Sequence, residues 1–209
     1  MALLQIAVDT LSLEEMLALA EKLGDAVDIY EVGTPAIMRD GMLPVRLLKE
    51  KHPGMTVLAD AKIVDGGRLE CEDACRAGAD IVTVLAVSDD ATISAVAETA
   101  HRYGRKAMAD LISVSDIARR APELLKLGVD YVCVHTGVDV QARGVTPLDQ
   151  LRTLCGAIPS ERAAVAGGIR PDTLADYLAQ KPAIIIMGGA LCGAADPRAA
   201  ALDVKRAIG

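Results

Sequence analysis

Asp60-Ala61-Lys62-Ile63-Val64-Asp65 sets one lysine between two carboxylates. A lysine held in this way stays charged and positioned, which suits it to stabilise a developing oxyanion. The same spacing also fits a salt-bridged strand end. If a strand persists to Lys62, then Asp60 and Lys62 share a face, because side chains alternate along a strand. Asp65 then lies beyond the turn, where Gly66-Gly67 can open the next helix.

Further ionisable groups follow short apolar runs. Asp9 follows Ile6-Ala7-Val8, Glu31 follows Asp28-Ile29-Tyr30, Asp110 follows Ala107-Met108-Ala109, and His135 follows Val132-Cys133-Val134. One charge at a strand end is ordinary, since strands exit into solvent and Asp caps helices. Ionisable groups on five of the first six strand ends would converge on one mouth if the sheet closes. His135, at the end of an apolar strand, is either an acid/base or a hydrogen-bonded structural histidine. His52 and His101 fall near helix ends and are expected in solvent.

Two later apolar runs finish in glycine pairs, Val165-Ala166-Gly167-Gly168 and Ile186-Met187-Gly188-Gly189. Such pairs let backbone N–H groups approach an anion, and they equally allow tight turns. No Walker A motif is present, so a bound phosphate would belong to a small substrate.

These residues need a scaffold, and the chain shows a repeating one. Apolar β-prone runs occur at Leu4–Val8, Val27–Val32, Thr56–Ala59, Ile81–Leu85, Lys106–Leu111, Tyr131–Val134, Ala163–Ala166 and Ala183–Met187, with helical periodicity between them. The junctions Leu23-Gly24-Asp25-Ala26-Val27-Asp28, Ala77-Gly78-Ala79-Asp80 and Leu127-Gly128-Val129-Asp130 each place a glycine where a helix should stop. Eight strand–helix units predict an α/β fold, a closed parallel (β/α)₈ TIM barrel, with an open doubly wound sheet as the competitor. No Pro/Gly/Ser linker interrupts the chain, so residues 1–209 read as a single domain.

The 209 residues are 52% hydrophobic and 24% charged, with a net charge of -7 and neither Phe nor Trp. An acidic chain without stacking rings is a poor nucleic-acid binder. No apolar run is long enough to span a bilayer, and Met1–Gln5 does not open a secretory signal. Five cysteines without a CxxC pair are expected as reduced thiols in a cytoplasmic protein, and Cys71/Cys75 makes at most half of a zinc site.

Asp60–Asp65 resembles the DxKxxD signature of the orotidine monophosphate decarboxylase suprafamily, and the resemblance runs from Gln5–Asp9 to Ala194–Pro197. Within that group, Glu31–Pro35, Ile81–Leu85 and Val134–Asp139 resemble the 3-hexulose-6-phosphate synthase and 3-keto-L-gulonate-6-phosphate decarboxylase branches. The resemblance implies that Glu31 and Asp60 bind Mg²⁺ and that Lys62 supports an enediolate oxygen. It implies sugar contacts for Asp9 and Asp110, an acid/base role for His135, and a phosphate held by Gly167, Gly168, Gly188 and Gly189. Asp65 would reach the site of the other subunit in a homodimer with shared active sites.

The implied reactions are aldol addition of ribulose 5-phosphate to formaldehyde, or decarboxylation through a closely related enediolate. The decarboxylase branch has an arginine where this chain has Val138, and Gly-Arg where it has Gly188-Gly189. Both departures favour the synthase and leave the phosphate mainly to backbone amides. A non-catalytic barrel that only binds sugar phosphate is the reading from another class, although such a binder needs no lysine between carboxylates facing a base.

Overall fold

The expected apolar runs form eight parallel strands in the computed structural model, which describes residues 1–209. They are β1 (Leu3–Val8), β2 (Ile29–Val32), β3 (Thr56–Ile63), β4 (Ile81–Leu85), β5 (Lys106–Asp110), β6 (Tyr131–His135), β7 (Ala163–Ala166) and β8 (Ile184–Met187). The sheet closes in sequence order, with β8 returning to β1 from Leu3↔Ile184 to Ile6↔Met187. It is a (β/α)₈ barrel, and the open doubly wound sheet is excluded. No helix is long and apolar enough to cross a membrane.

Alternation along the strands builds two cores. Leu4, Ile6 and Val8 of β1 pack outward with the helices, whereas Ile29, Leu58, Ile81, Met108, Cys133 and Ile184 fill the barrel interior. Burial on both faces explains why the strands are nearly continuous apolar runs.

The repeated junctions share a device at the opposite end of the barrel from the expected site. Asp28, Asp80 and Asp130 each accept the backbone N–H of a residue in the preceding strand: Leu4 at 2.8 Å, Val57 at 2.9 Å and Ala107 at 2.9 Å. Each is also paired with a basic side chain: Lys205, Lys49 and His101, respectively. Gly78, which stops the helix Gly67–Ala77, takes φ +104°, a conformation strained for any residue with a Cβ. His101 is exposed, as expected, and bonds Asp130. His52 departs from expectation: it caps the helix Leu43–Lys51 and is only partly exposed.

The third strand runs past its expected end at Ala59 and changes register there. Ala59 pairs with Val82 and Ile63 with Val84, so four steps on β3 face two on β4 and two residues bulge out. Lys62 in that bulge has φ +46°. Strict alternation therefore does not place Lys62, and a left-handed non-glycine residue costs about 1–2 kcal/mol. Bulges re-aim side chains next to active sites.

Candidate active site

All eight strands point the same way, so their C-terminal ends open on one mouth. A cavity of about 760 Å³ lies there, within the usual size of a small-molecule site. Asp9, Glu31, Asp60, Lys62, Asp110, His135 and Val138 line it, and so do Gly167, Gly168, Gly188 and Gly189. Asp65 is absent from the lining. It lies exposed beyond the bulge, where its Oδ1 accepts the Gly66 N–H at 2.7 Å.

Lys62 is the centre of the charged cluster. Its Nζ bonds Asp60 Oδ2, lies 3.7 Å from Asp110 Oδ2, and approaches Thr34 Oγ1 at 3.2 Å. Burial alone would lower the ammonium's affinity for its proton. The carboxylates of Asp60 and Asp110 outweigh burial and hold the pKa above its ordinary value. Lys62 is therefore a fixed cation at neutral pH.

Asp110 links that cation to the histidine, since His135 Nδ1 bonds Asp110 Oδ2 at 2.8 Å. Burial pushes the Asp110 carboxyl up, but the His135 hydrogen bond and the charges of His135 and Lys62 bring it below its usual value. An ionised Asp110 takes the Nδ1 proton as a hydrogen bond and leaves Nε2 to act as the base.

The opposite carboxylates are less comfortable. Burial first, and then the Asp60 charge, push the Glu31 carboxyl well above the usual range. The same two causes raise Asp9, with Lys62 and His135 offsetting them. Asp9 packs so closely on Gly33 that a Cβ there would fall 1.9 Å from Asp9 Oδ1. Gly33 is thus required by the position of Asp9, at the start of the Gly-Thr-Pro segment after β2.

Several residues that build the site escaped the sequence reading. Thr83 Oγ1 donates to Asp60 Oδ1 at 2.8 Å and accepts the Lys62 N–H at 2.9 Å, so one hydroxyl closes the bulge. Thr34 Oγ1 bonds Asp60 Oδ2 at 2.8 Å, and Gln5 Nε2 donates to Glu31 Oε2 at 2.6 Å. The available signal was a polar residue inside each apolar run, Leu4-Gln5-Ile6 and Val82-Thr83-Val84. Arg170 also lines the cavity beyond Gly167-Gly168, paired with Asp172 at 3.0 Å. The glycine side of the mouth therefore carries one cationic side chain.

The donor set bears on a metal. No group of three His, Cys, Asp or Glu side chains is arranged to hold an ion by itself, and Cys71 and Cys75, with sulfurs 3.9 Å apart, acquire no further ligand. Glu31 and Asp60 are two buried carboxylates whose mutual repulsion raises the first. Mg²⁺ commonly takes one or two carboxylates and completes its shell with water and substrate oxygens, so this pair fits it.

Comparison with known proteins agrees with this geometry. The Orotidine 5'-phosphate decarboxylase / HUMPS family model matches residues 2–204. The 3-hexulose-6-phosphate synthase of Staphylococcus haemolyticus is 45% identical over 205 residues, covering 98% of each chain. The crystal structure of 3-hexulose-6-phosphate synthase from Salmonella typhimurium is 42% identical with a TM-score of 0.95, over 99% of this chain and 98% of that one. That of 3-keto-L-gulonate-6-phosphate decarboxylase from Vibrio cholerae is 29% identical with a TM-score of 0.87, over 99% and 97%. Matched along nearly its whole length, this chain belongs to the orotidine 5'-phosphate decarboxylase / HUMPS family.

Proposed function

We propose that the chain is an aldehyde-lyase that condenses ribulose 5-phosphate with formaldehyde to give 3-hexulose 6-phosphate. The observation that carries this reading is the Lys62–Asp110–His135 chain, which sets a fixed cation and an oriented base on one cavity wall. Likeness to named synthases at 42–45% identity, against 29% for the decarboxylase, favours the aldol branch. Val138 at the mouth agrees with it.

In this reading His135 Nε2 removes a proton from C1 of the ketose phosphate. Negative charge develops on the neighbouring oxygen, and the Lys62 ammonium faces it. The enediolate carbon then bonds to the formaldehyde carbon, whose C=O electron pair moves onto oxygen. The proton held on His135 Nε2 passes to that alkoxide, so the base is restored. Glu31 and Asp60 would hold Mg²⁺, which when bound supplies positive charge to the paired enediolate oxygens. The glycine pairs, with Arg170 beside them, hold the phosphate away from the reacting end.

A homodimer fits the surface. Met38, Val64, Leu69 and Val87 are exposed apolar side chains following the adjacent strands β2, β3 and β4, on the side of the mouth where Asp65 is displayed. Exposed apolar side chains gathered on one side of a molecule suit an interaction surface. A second copy docking there would bring Asp65 to its partner's site. All five cysteines are free thiols, which suits a cytoplasmic enzyme.

The deciding assay offers the pure protein ribulose 5-phosphate with formaldehyde and, separately, 3-keto-L-gulonate 6-phosphate, each with Mg²⁺ and after exhaustive EDTA. Condensation that EDTA abolishes and Mg²⁺ restores is the expected result. Full activity after EDTA overturns the metal assignment, and absence of condensation overturns the synthase.

A further inference from the structure

Gln5 is a polar side chain in a place built for an apolar one. It is 1% exposed and pairs in register with Ile29 of β2 and Ile186 of β8. Those two residues belong with Leu58 and Met108 to the apolar cluster that fills the barrel interior. A leucine or methionine there would bury no polar atom. Gln5 instead leaves its Oε1 buried without a partner, and an unpaired buried polar atom costs about 1–3 kcal/mol.

The side chain makes one hydrogen bond, from Nε2 to Glu31 Oε2 at 2.6 Å, and the Glu31 carboxylate has no other hydrogen-bond partner. Both residues line the cavity. Its neighbour Asp60 repels the Glu31 carboxylate. Without a donor on one oxygen, nothing fixes where the other oxygen points.

We propose that Gln5 is a positioning residue for the divalent-cation site: its amide holds Glu31 by Oε2 so that Oε1 is left for the ion. The proposal rests on the Glu31/Asp60 metal reading above and adds the residue that orders it. Hydrogen-bond partners of metal ligands typically govern ~10–100-fold in metal affinity. The competing role is a brace between β1 and β2, which would affect folding and leave ion binding unchanged.

The test titrates metal-free protein with Mn²⁺ alone, reading free Mn²⁺ by electron paramagnetic resonance, with thermal melting of each metal-free variant alongside. Gln5→Met keeps the length of the side chain, removes the donor and removes the unpaired Oε1. It is expected to melt close to the wild-type temperature, because relief of the orphaned Oε1 offsets the loss of the donor to Glu31, and to bind Mn²⁺ ~10–100-fold more weakly. Gln5→Asn, one methylene too short to reach Glu31, is expected to weaken binding similarly and decides the matter if Gln5→Met does not fold. Glu31→Gln should lose Mn²⁺ binding, which identifies the titrated site. Wild-type affinity in folded Gln5→Met or Gln5→Asn overturns the positioning role alone. Absence of Mn²⁺ binding in the wild type, or its survival in Glu31→Gln, overturns the metal reading and this proposal together.

Discussion

Thr83 and Lys62 are joined by a 2.9 Å hydrogen bond from the Lys62 backbone N–H to the Thr83 hydroxyl, which itself donates to Asp60. The β3 bulge therefore closes around a side chain from the next strand, which holds Lys62 at φ +46°.

Thr83→Val keeps the shape and deletes that hydroxyl. It leaves the Lys62 N–H and one Asp60 oxygen without this partner, at a cost of about 1–3 kcal/mol in stability. Because the bulge aims the ammonium, kcat should fall ~10-fold or more while substrate KM changes less. Denaturant titration and steady-state kinetics check both. Wild-type kcat in a destabilised variant would reduce Thr83 to a structural residue.

Lys62→Ala removes the fixed cation that the proposed mechanism sets opposite the developing oxyanion. Loss of one preorganised donor typically costs ~10²–10³-fold in kcat. The expected result is a drop of ~10²-fold or more with a smaller change in KM. A kcat near wild type would make Lys62 only an ion-pair partner of Asp60 and Asp110.

Glu31 opposes stability at the position proposed for a metal ligand. Its carboxyl is raised by burial and by Asp60, so the folded state holds a proton that the unfolded chain has already released. Stability from this group thus falls as pH rises above the ordinary carboxylate range towards the raised value. Glu31→Gln removes that cost while retaining an oxygen for the Gln5 amide. In metal-free buffer at neutral pH its melting temperature should rise, by ~2–4 °C for each ~1 kcal/mol relieved, while turnover is lost. A lower melting temperature than wild type would contradict the electrostatic account.

Asp65 stands outside its own chain's cavity. If it completes the partner's site, mixing inactive Lys62→Ala and Asp65→Ala proteins should restore activity, because one site of each hybrid dimer combines both wild-type residues. Subunit exchange shown by mass spectrometry without recovery would mean that each site is built from a single chain.

Val138 is 75% exposed at the mouth, three residues after His135. A valine offers no donor to orient a water for reprotonation, so in the proposed mechanism the enediolate would be left to a carbon electrophile. Val138→Arg should raise decarboxylation of 3-keto-L-gulonate 6-phosphate relative to condensation, read as the ratio of the two kcat/KM values. A wild type that decarboxylates more efficiently than it condenses would reverse the assignment of the main reaction.

The sequence by itself determined the barrel, because burial on both faces writes a parallel strand as an apolar run, and the repeated helix-stop junctions before Asp28, Asp80 and Asp130 mark the units. It also marked Asp9, Glu31, Asp60, Lys62, Asp110 and His135, since ionisable groups ending apolar runs must meet at the mouth once the sheet closes. Only the tertiary structure decided how these groups are paired. The register shift that places Lys62 depends on Thr83 across the sheet, and the Asp110–His135 and Gln5–Glu31 bonds join residues 25 and 26 positions apart. No local pattern encodes such contacts: hydrophobic period reports which face a side chain takes, whereas its partner depends on strand register and on what the neighbouring strand presents there.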